Sequence, residues 1–116
     1  MNVLVVDDNR DSADSLAALL TLKRHKVRVA YGGAEAVGEA AAALPEVVIC
    51  DINMPDVDGL ETARRLRALP DGAALRLIAL TGWTGPDTEA IADAGFDLFF
   101  PKPVDCPALF KALANA

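Results

Sequence analysis

Apolar residues follow two rhythms that alternate along the chain. Short runs rich in branched side chains occupy residues 2–6, 27–31, 47–50, 75–80 and 97–100, and each predicts a β-strand. After each run the period lengthens to that of an amphipathic helix. The first helix carries Ala13, Leu16, Ala17 and Leu20 at i, i+3, i+4 and i+7; the second carries Val37, Ala40, Ala41 and Leu44 and stops before Pro45. Leu60, Ala63 and Leu66 make a third stripe ahead of Pro70. Pro86 opens the fourth helix and Gly95 closes it, and Asp105 caps the fifth, whose face holds Leu109, Ala112 and Leu113. Strand and helix alternate five times without a linker or repeat, which predicts a single α/β unit around a parallel sheet.

The composition of the runs also predicts their order. Residues 2–6, 47–50 and 75–80 are almost unbroken apolar, as strands covered on both faces must be, whereas Val27, Val29 and Tyr31 alternate with Arg28 and Ala30. The second strand is therefore an edge. The fifth ends in Phe100-Pro101, and a proline, lacking an N–H, belongs on an edge rather than in a central ladder. Edges two and five with one, three and four inside fit the flavodoxin-like order 2-1-3-4-5, with helices on both faces.

Composition removes several function classes. At 116 residues and 12.2 kDa, the chain has one domain, residues 1–116, that exposes about 6,100 Å² when folded. Leu, Ile, Val and Phe supply 33 of the 116 residues, above the level of disordered chains. Eleven basic against 17 acidic residues give a net charge of −6 with no basic run, which argues against nucleic-acid binding. The first apolar run, residues 3–6, is too short for a signal peptide or a membrane span, so this segment has no membrane partner and is expected to be cytoplasmic. Cys50 and Cys106 read as a buried small hydrophobe and a helix-start residue rather than a disulfide framework. His25, in Lys23-Arg24-His25-Lys26, reads as one of the cations that offset a helix dipole. Gly32, Gly33 and Gly38 match no dinucleotide or P-loop pattern, and neither a hydrolase triad nor a zinc site has its residues.

In a sheet of this order a ligand crevice lies beyond the carboxyl ends of the strands. The residues there are Asp7 and Asp8, Asp51, Thr81 with Gly82, and Lys102. Singly, such acids are also what solvated loops contain. Together, three carboxylates from neighbouring strands repel unless a hard cation shares their charge, and Mg²⁺ is the natural candidate. Lys102 adds a point charge for a phosphate oxygen, and Thr81 offers a hydroxyl beside the Gly82 N–H.

The stretches LVVDDN, VVICDINMPDVDG, LIALTG and FFPKP, in this order and spacing, resemble the response-regulator receiver domains of two-component signalling from end to end. The resemblance implies Asp51 as phosphoacceptor, Asp7 and Asp8 as metal-site acids, the Asn53 carbonyl as a further Mg²⁺ ligand, and Thr81 and Lys102 on the phosphoryl oxygens. It implies a phosphohistidine donor on a histidine kinase or histidine phosphotransfer domain, and a Lys102-Pro103 bond in cis. A switch pairing Thr81 with Phe99 and a dimer through the fourth helix, fifth strand and fifth helix belong to the same expectation. The chain would then be no enzyme beyond its own phosphorylation and dephosphorylation. FDLFFPKPVD resembles receivers of hybrid histidine kinases. The fifth helix runs to residues 114–116 and leaves no room for an effector domain, as in a single-domain regulator or an excised piece.

Two departures from that pattern stand out. Phe99 lacks the hydroxyl or imidazole that many relatives carry there, and Arg24 replaces a helix-ending glycine. Asn53 and Trp83 flank the path of water to the phosphorus, Trp83 either as a shield or as an exposed aromatic at a partner surface. Two other readings remain: a degenerate receiver serving as a binding module, and a Mg²⁺-dependent phosphohydrolase of the haloacid dehalogenase type. The latter wants an acid where Asn53 stands.

Overall fold

Successive residues of a strand face opposite sides of a sheet, so a run that is apolar at every position has to be covered twice. The computed structural model, which describes residues 1–55, 57–82 and 87–114, shows that double cover. Strands β1 (Asn2–Val6), β2 (Lys26–Ala30), β3 (Val47–Asp51), β4 (Arg76–Thr81) and β5 (Leu98–Pro101) form one parallel sheet in the order β2-β1-β3-β4-β5. The expected order holds, and each strand lies within one residue of its expected bounds. The helices are α1 (Arg10–Leu22), α2 (Gly33–Ala42), α3 (Gly59–Arg67), α4 (Thr88–Ala94) and α5 (Cys106–Ala114), with a 3-10 turn at Gly72–Ala74.

Two cores result. Val3, Val5, Ile49, Ile78 and Leu80 pack with Leu16 and Leu20 of α1 and Leu109 and Leu113 of α5. The alternate residues Leu4, Val6, Val48, Cys50 and Leu77 meet Ala36 and Ala40 of α2, Ala63 and Leu66 of α3, and Ile91 of α4. Accessible surface totals 6167 Å², in line with the size scaling. Among the described residues, no helix is long and apolar enough to cross a membrane.

Several expectations about the helices are corrected. The second helix ends at Ala42, and its buried stripe is Gly33, Ala36 and Ala40; Ala41 and Leu44 are exposed. A segment of alanine and glycine has little contrast between its faces, so tertiary fit selects the stripe. A Cβ on Gly33 would lie 2.2 Å from Thr62 Oγ1, so the glycine lets α2 and α3 approach closely. Arg28 of the edge strand donates to the carbonyls of Glu39 (3.0 Å) and Ala43, closing the end of α2. The fourth helix opens at Thr88 under an Asp87 cap, whose side chain accepts the Ala90 N–H (2.8 Å); Pro86, expected to open it, lies outside the described residues. Gly95 closes α4 at φ 114°, as expected.

Arg24 takes on the glycine's role. At φ 69° its N–H donates to the Thr21 carbonyl (2.9 Å) and the His25 N–H to the Leu20 carbonyl (3.2 Å), the crossed pair that ends a helix through a left-handed residue. His25 is not one of the capping cations. Its Nδ1 lies 3.3 Å from the N-terminal amine, and burial followed by that ammonium holds its pKa below the ordinary value against the pull of Glu46.

Candidate functional site

Asp51 is the last residue of β3, 3% exposed, and the chain turns sharply after it. The Ile52 N–H donates to the Leu80 carbonyl (3.1 Å), while the Ile52 carbonyl accepts the N–H groups of Met54 (3.1 Å) and Gly59 (3.0 Å). Asp58 caps α3 by accepting the Glu61 N–H (2.9 Å). At Gly59 a Cβ would stand 2.5 Å from Ile52 Cα and 2.7 Å from the Asp51 carbonyl oxygen, so only glycine allows α3 to seat on this backbone. Gly59 closes the stretch VVICDINMPDVDG, but the backbone contact it serves shows only in the fold, because glycine at the first helical position looks merely like a poor helix former.

Asp7, 5% exposed, and the exposed Asp8 follow β1, which lies beside β3. One carboxylate oxygen from each of Asp7, Asp8 and Asp51 lies within 4.8 Å of the others. The Asn9 N–H donates to Asp7 Oδ1 (3.0 Å), and Asn9 Oδ1 accepts the Ser12 N–H (3.1 Å), so the residue that caps α1 also orients Asp7. An asparagine directly before a helical apolar period is itself an N-cap signal in the sequence. Lys102, two residues beyond the edge position Phe100, brings Nζ to 2.9 Å from Asp51 Oδ2 and 4.0 Å from Asp7 Oδ2. Its own N–H donates to the Thr81 carbonyl (2.7 Å), and Lys102-Pro103 is cis, as expected.

Asn53 is exposed, and its N–H donates to Asp51 Oδ1 (3.1 Å), so both Asp51 oxygens are engaged. A Cβ on Gly82 would be 3.1 Å from Asn53 Nδ2, which puts the Asn53 side chain against the Gly82 backbone. Thr81 ends β4, one residue beyond the strand partner of Asp51, and is almost buried. Phe99 stands on β5 opposite Ala79 with 45% of its surface exposed. Asp7, Asp8, Asp51, Asn53, Gly82 and Lys102 thus meet at one end of the sheet, with Thr81 at the same end and Phe99 on the outer edge. Trp83 lies outside the described residues.

The electrostatics follow from this crowding. Burial lifts the Asp7 pKa above the usual carboxylate value and Asp51 adds to the shift, against the Asn9 N–H and Lys102. Beneath Asp51, the buried Cys50 thiol donates to the Asp51 carbonyl (3.2 Å) and is pushed far up by the same burial, so it is inert. Three converging carboxylates with one lysine carry an excess of negative charge, and their hard oxygen donors suit a small divalent cation. The donor set therefore fits Mg²⁺.

The model of the response regulator receiver domain family matches residues 3–114. Among curated proteins, an uncharacterised 14.6 kDa protein of Leptolyngbya boryana is 39% identical over 90% of this chain and 81% of its own length. The response regulator MprA of Mycobacterium avium is 38% identical over 89% of the chain but only 45% of that protein, so the chain spans less than half of it. Among solved structures, the Vibrio cholerae chemotaxis protein CheY4 superposes with a TM-score of 0.91 at 28% identity, covering 98% of this chain and 96% of that one. A response regulator structure from Chloroflexus aurantiacus gives 0.88 at 30% identity, covering 98% and 94%. Fold, acid cluster and family match together make this chain a member of the response regulator receiver domain family of two-component signalling.

Proposed function

We propose that the chain accepts a phosphoryl group from a phosphohistidine onto Asp51. The observation that carries this reading is the buried Asp51 carboxylate with Lys102 Nζ at 2.9 Å and oxygens of Asp7 and Asp8 within 4.8 Å. An aspartate nucleophile needs no general base, so positioning and charge relief are the chief demands. The Asn53 N–H and Lys102 fix the two Asp51 oxygens. An Asp51 oxygen forms the new O–P bond as the histidine N–P bond breaks, and the imidazole leaves with the electron pair. Lys102 then balances charge on the transferred group, and Thr81 with the Gly82 N–H stands ready for its other oxygens. Mg²⁺, held by Asp7, Asp8, Asp51 and the Asn53 carbonyl, would supply further charge neutralisation when bound.

In this reading the chain acts on no other substrate and works in the cytoplasm. Its donor is a histidine kinase or phosphotransfer domain, and its state is read through Thr81 and Phe99, with a second copy able to pair on the face of α4, β5 and α5. Phosphoramidate, which carries the same N–P bond as phosphohistidine, tests the reading without a cognate partner. In Mg²⁺ the protein should gain one phosphoryl group and lose the capacity when the metal is chelated. A protein that stays unlabelled at saturating Mg²⁺ would be a binding module, and steady release of phosphate from phosphate monoesters would mark a phosphohydrolase.

A further inference from the structure

At the end of the sheet remote from the acids, Arg76 opens β4 opposite Val47, its register partner on β3, and its N–H donates to the Glu46 carbonyl (3.1 Å). The residue is partly buried. Among the described residues Arg76 forms no ion pair, and its Nε is buried without a hydrogen-bond partner. An arginine whose stem merely covers apolar surface keeps its head group in water, whereas here one guanidinium donor is withdrawn from it. A buried donor left unpaired is destabilising. The chain holds 17 acidic residues to 11 basic ones, and none of the described acids pairs with this one. Glu46 is turned to β1, where its Oε1 accepts the Asn2 N–H (3.1 Å) and its own N–H donates to the Asn2 carbonyl (2.9 Å).

Arg76 lines an open groove of about 590 Å³ at the N-terminal ends of the strands. Its apolar walls are Leu44 and Pro45, from the segment between α2 and β3, and Ala74, from the 3-10 turn ahead of β4. Leu44 is 38% exposed, although leucine at such a position would ordinarily be covered. Apolar walls around one cation select an occupant that carries an apolar group beside an anionic one. Glu46 also lines the groove and narrows the choice of anion. A phosphate dianion would meet its charge, whereas a single carboxylate matches the planar guanidinium fork. Two copies of this chain, each with a net charge of −6, repel one another, which favours a different protein as the source of that carboxylate.

We propose that this groove docks an acidic segment of a partner protein, with one carboxylate side chain on the Arg76 guanidinium and a neighbouring apolar side chain against Leu44, Pro45 and Ala74. Strand β4 carries the chain roughly 16 Å from Arg76 to Thr81, so a docked segment leaves Asp51 and the residues around it uncovered. The site is a tether on the face opposite the acids, and it does not depend on the reading of Asp51 as phosphoacceptor.

The test titrates the ¹⁵N-labelled protein with an N-acetylated, C-amidated hexapeptide that carries one glutamate among leucines and serines. The amides of Leu44, Val47, Ala74 and Arg76 should shift while that of Asp51 stays in place. A peptide with glutamine for the glutamate, and acetate alone, should each bind about tenfold more weakly. Arg76→Met keeps the stem and removes the donors, so it should weaken the glutamate peptide about tenfold. Its urea midpoint without peptide should equal or exceed that of the wild type, because the variant removes an unpaired buried donor. A lower midpoint would mean that Arg76 serves the fold, and it would overturn the site. Shifts centred on other residues, or equal affinity of the two peptides or of the wild type and Arg76→Met, would overturn it too. Concentration-dependent shifts of the same amides without peptide, lost in Arg76→Met, would place a second copy in the groove and overturn the assignment to a different protein.

Discussion

Two residues show how individual side chains trade local cost against the whole. Arg24 occupies a left-handed conformation at φ 69°, which costs an L-residue about 1–2 kcal/mol that glycine is spared, partly offset by glycine's larger entropy in the unfolded chain. Arg24→Gly should therefore stabilise the protein by about 0.5–1 kcal/mol, read as a higher urea midpoint at unchanged slope. Asp7 works in the other direction. Its pKa is raised in the fold, chiefly by burial, from the ordinary 3.8. Between 3.8 and the raised value the native state binds the proton and the unfolded chain does not. The stability Asp7 contributes is thus fully present at low pH and declines as pH rises through its folded pKa. Asp7→Asn should be more stable than the wild type at pH 7 in chelator, and urea unfolding at a series of pH values should show that advantage shrinking as the pH falls toward 3.8.

The elements differ in how far the sequence betrays them. The inner strands were legible because cover on both faces forces apolar residues at every position, and the edges because Arg28 and Pro101 violate that rule. The buried stripe of α2 was not, since alanine and glycine occupy every candidate face and the close approach at Gly33 makes the choice. Ala36→Leu, on the true stripe, should cost about 1–3 kcal/mol. Ala41→Gln, on the expected but exposed position, should change stability by less than about 0.5 kcal/mol in the same denaturation assay. At the start of α3, Gly59 closes the stretch VVICDINMPDVDG, but its physical reason, a backbone contact with Ile52 and Asp51, is visible only in the fold. Gly59→Ala should lower stability by about 1–3 kcal/mol and slow phosphoryl transfer to Asp51, because the loop that aims the carboxylate has to move. Unfolding curves and labelling rates of the same variant check both halves.

For the whole molecule, the parallel sheet gathers at one end what the chain scatters over a hundred residues. Asp7, Asp51, Thr81 and Lys102 come from four strand ends, and their order along the chain predicted their meeting once the strand order was known. The contacts of Arg67, the last residue of α3, with the carbonyls of Gly95 and Gly72 and with Asp97 Oδ2 (3.0 Å) lay beyond that reading, since all but one of its acceptors are backbone carbonyls. The central claim is that this convergence makes Asp51 the phosphoacceptor. Its most direct test incubates the wild type and Asp51→Asn with a small acyl phosphate in Mg²⁺, then locates the modified residue by mass spectrometry of the intact protein and its peptides. The account predicts one phosphoryl group on the wild type, carried on Asp51, and none on a folded Asp51→Asn; a phosphoryl group on another residue, or undiminished labelling of the variant, would contradict it.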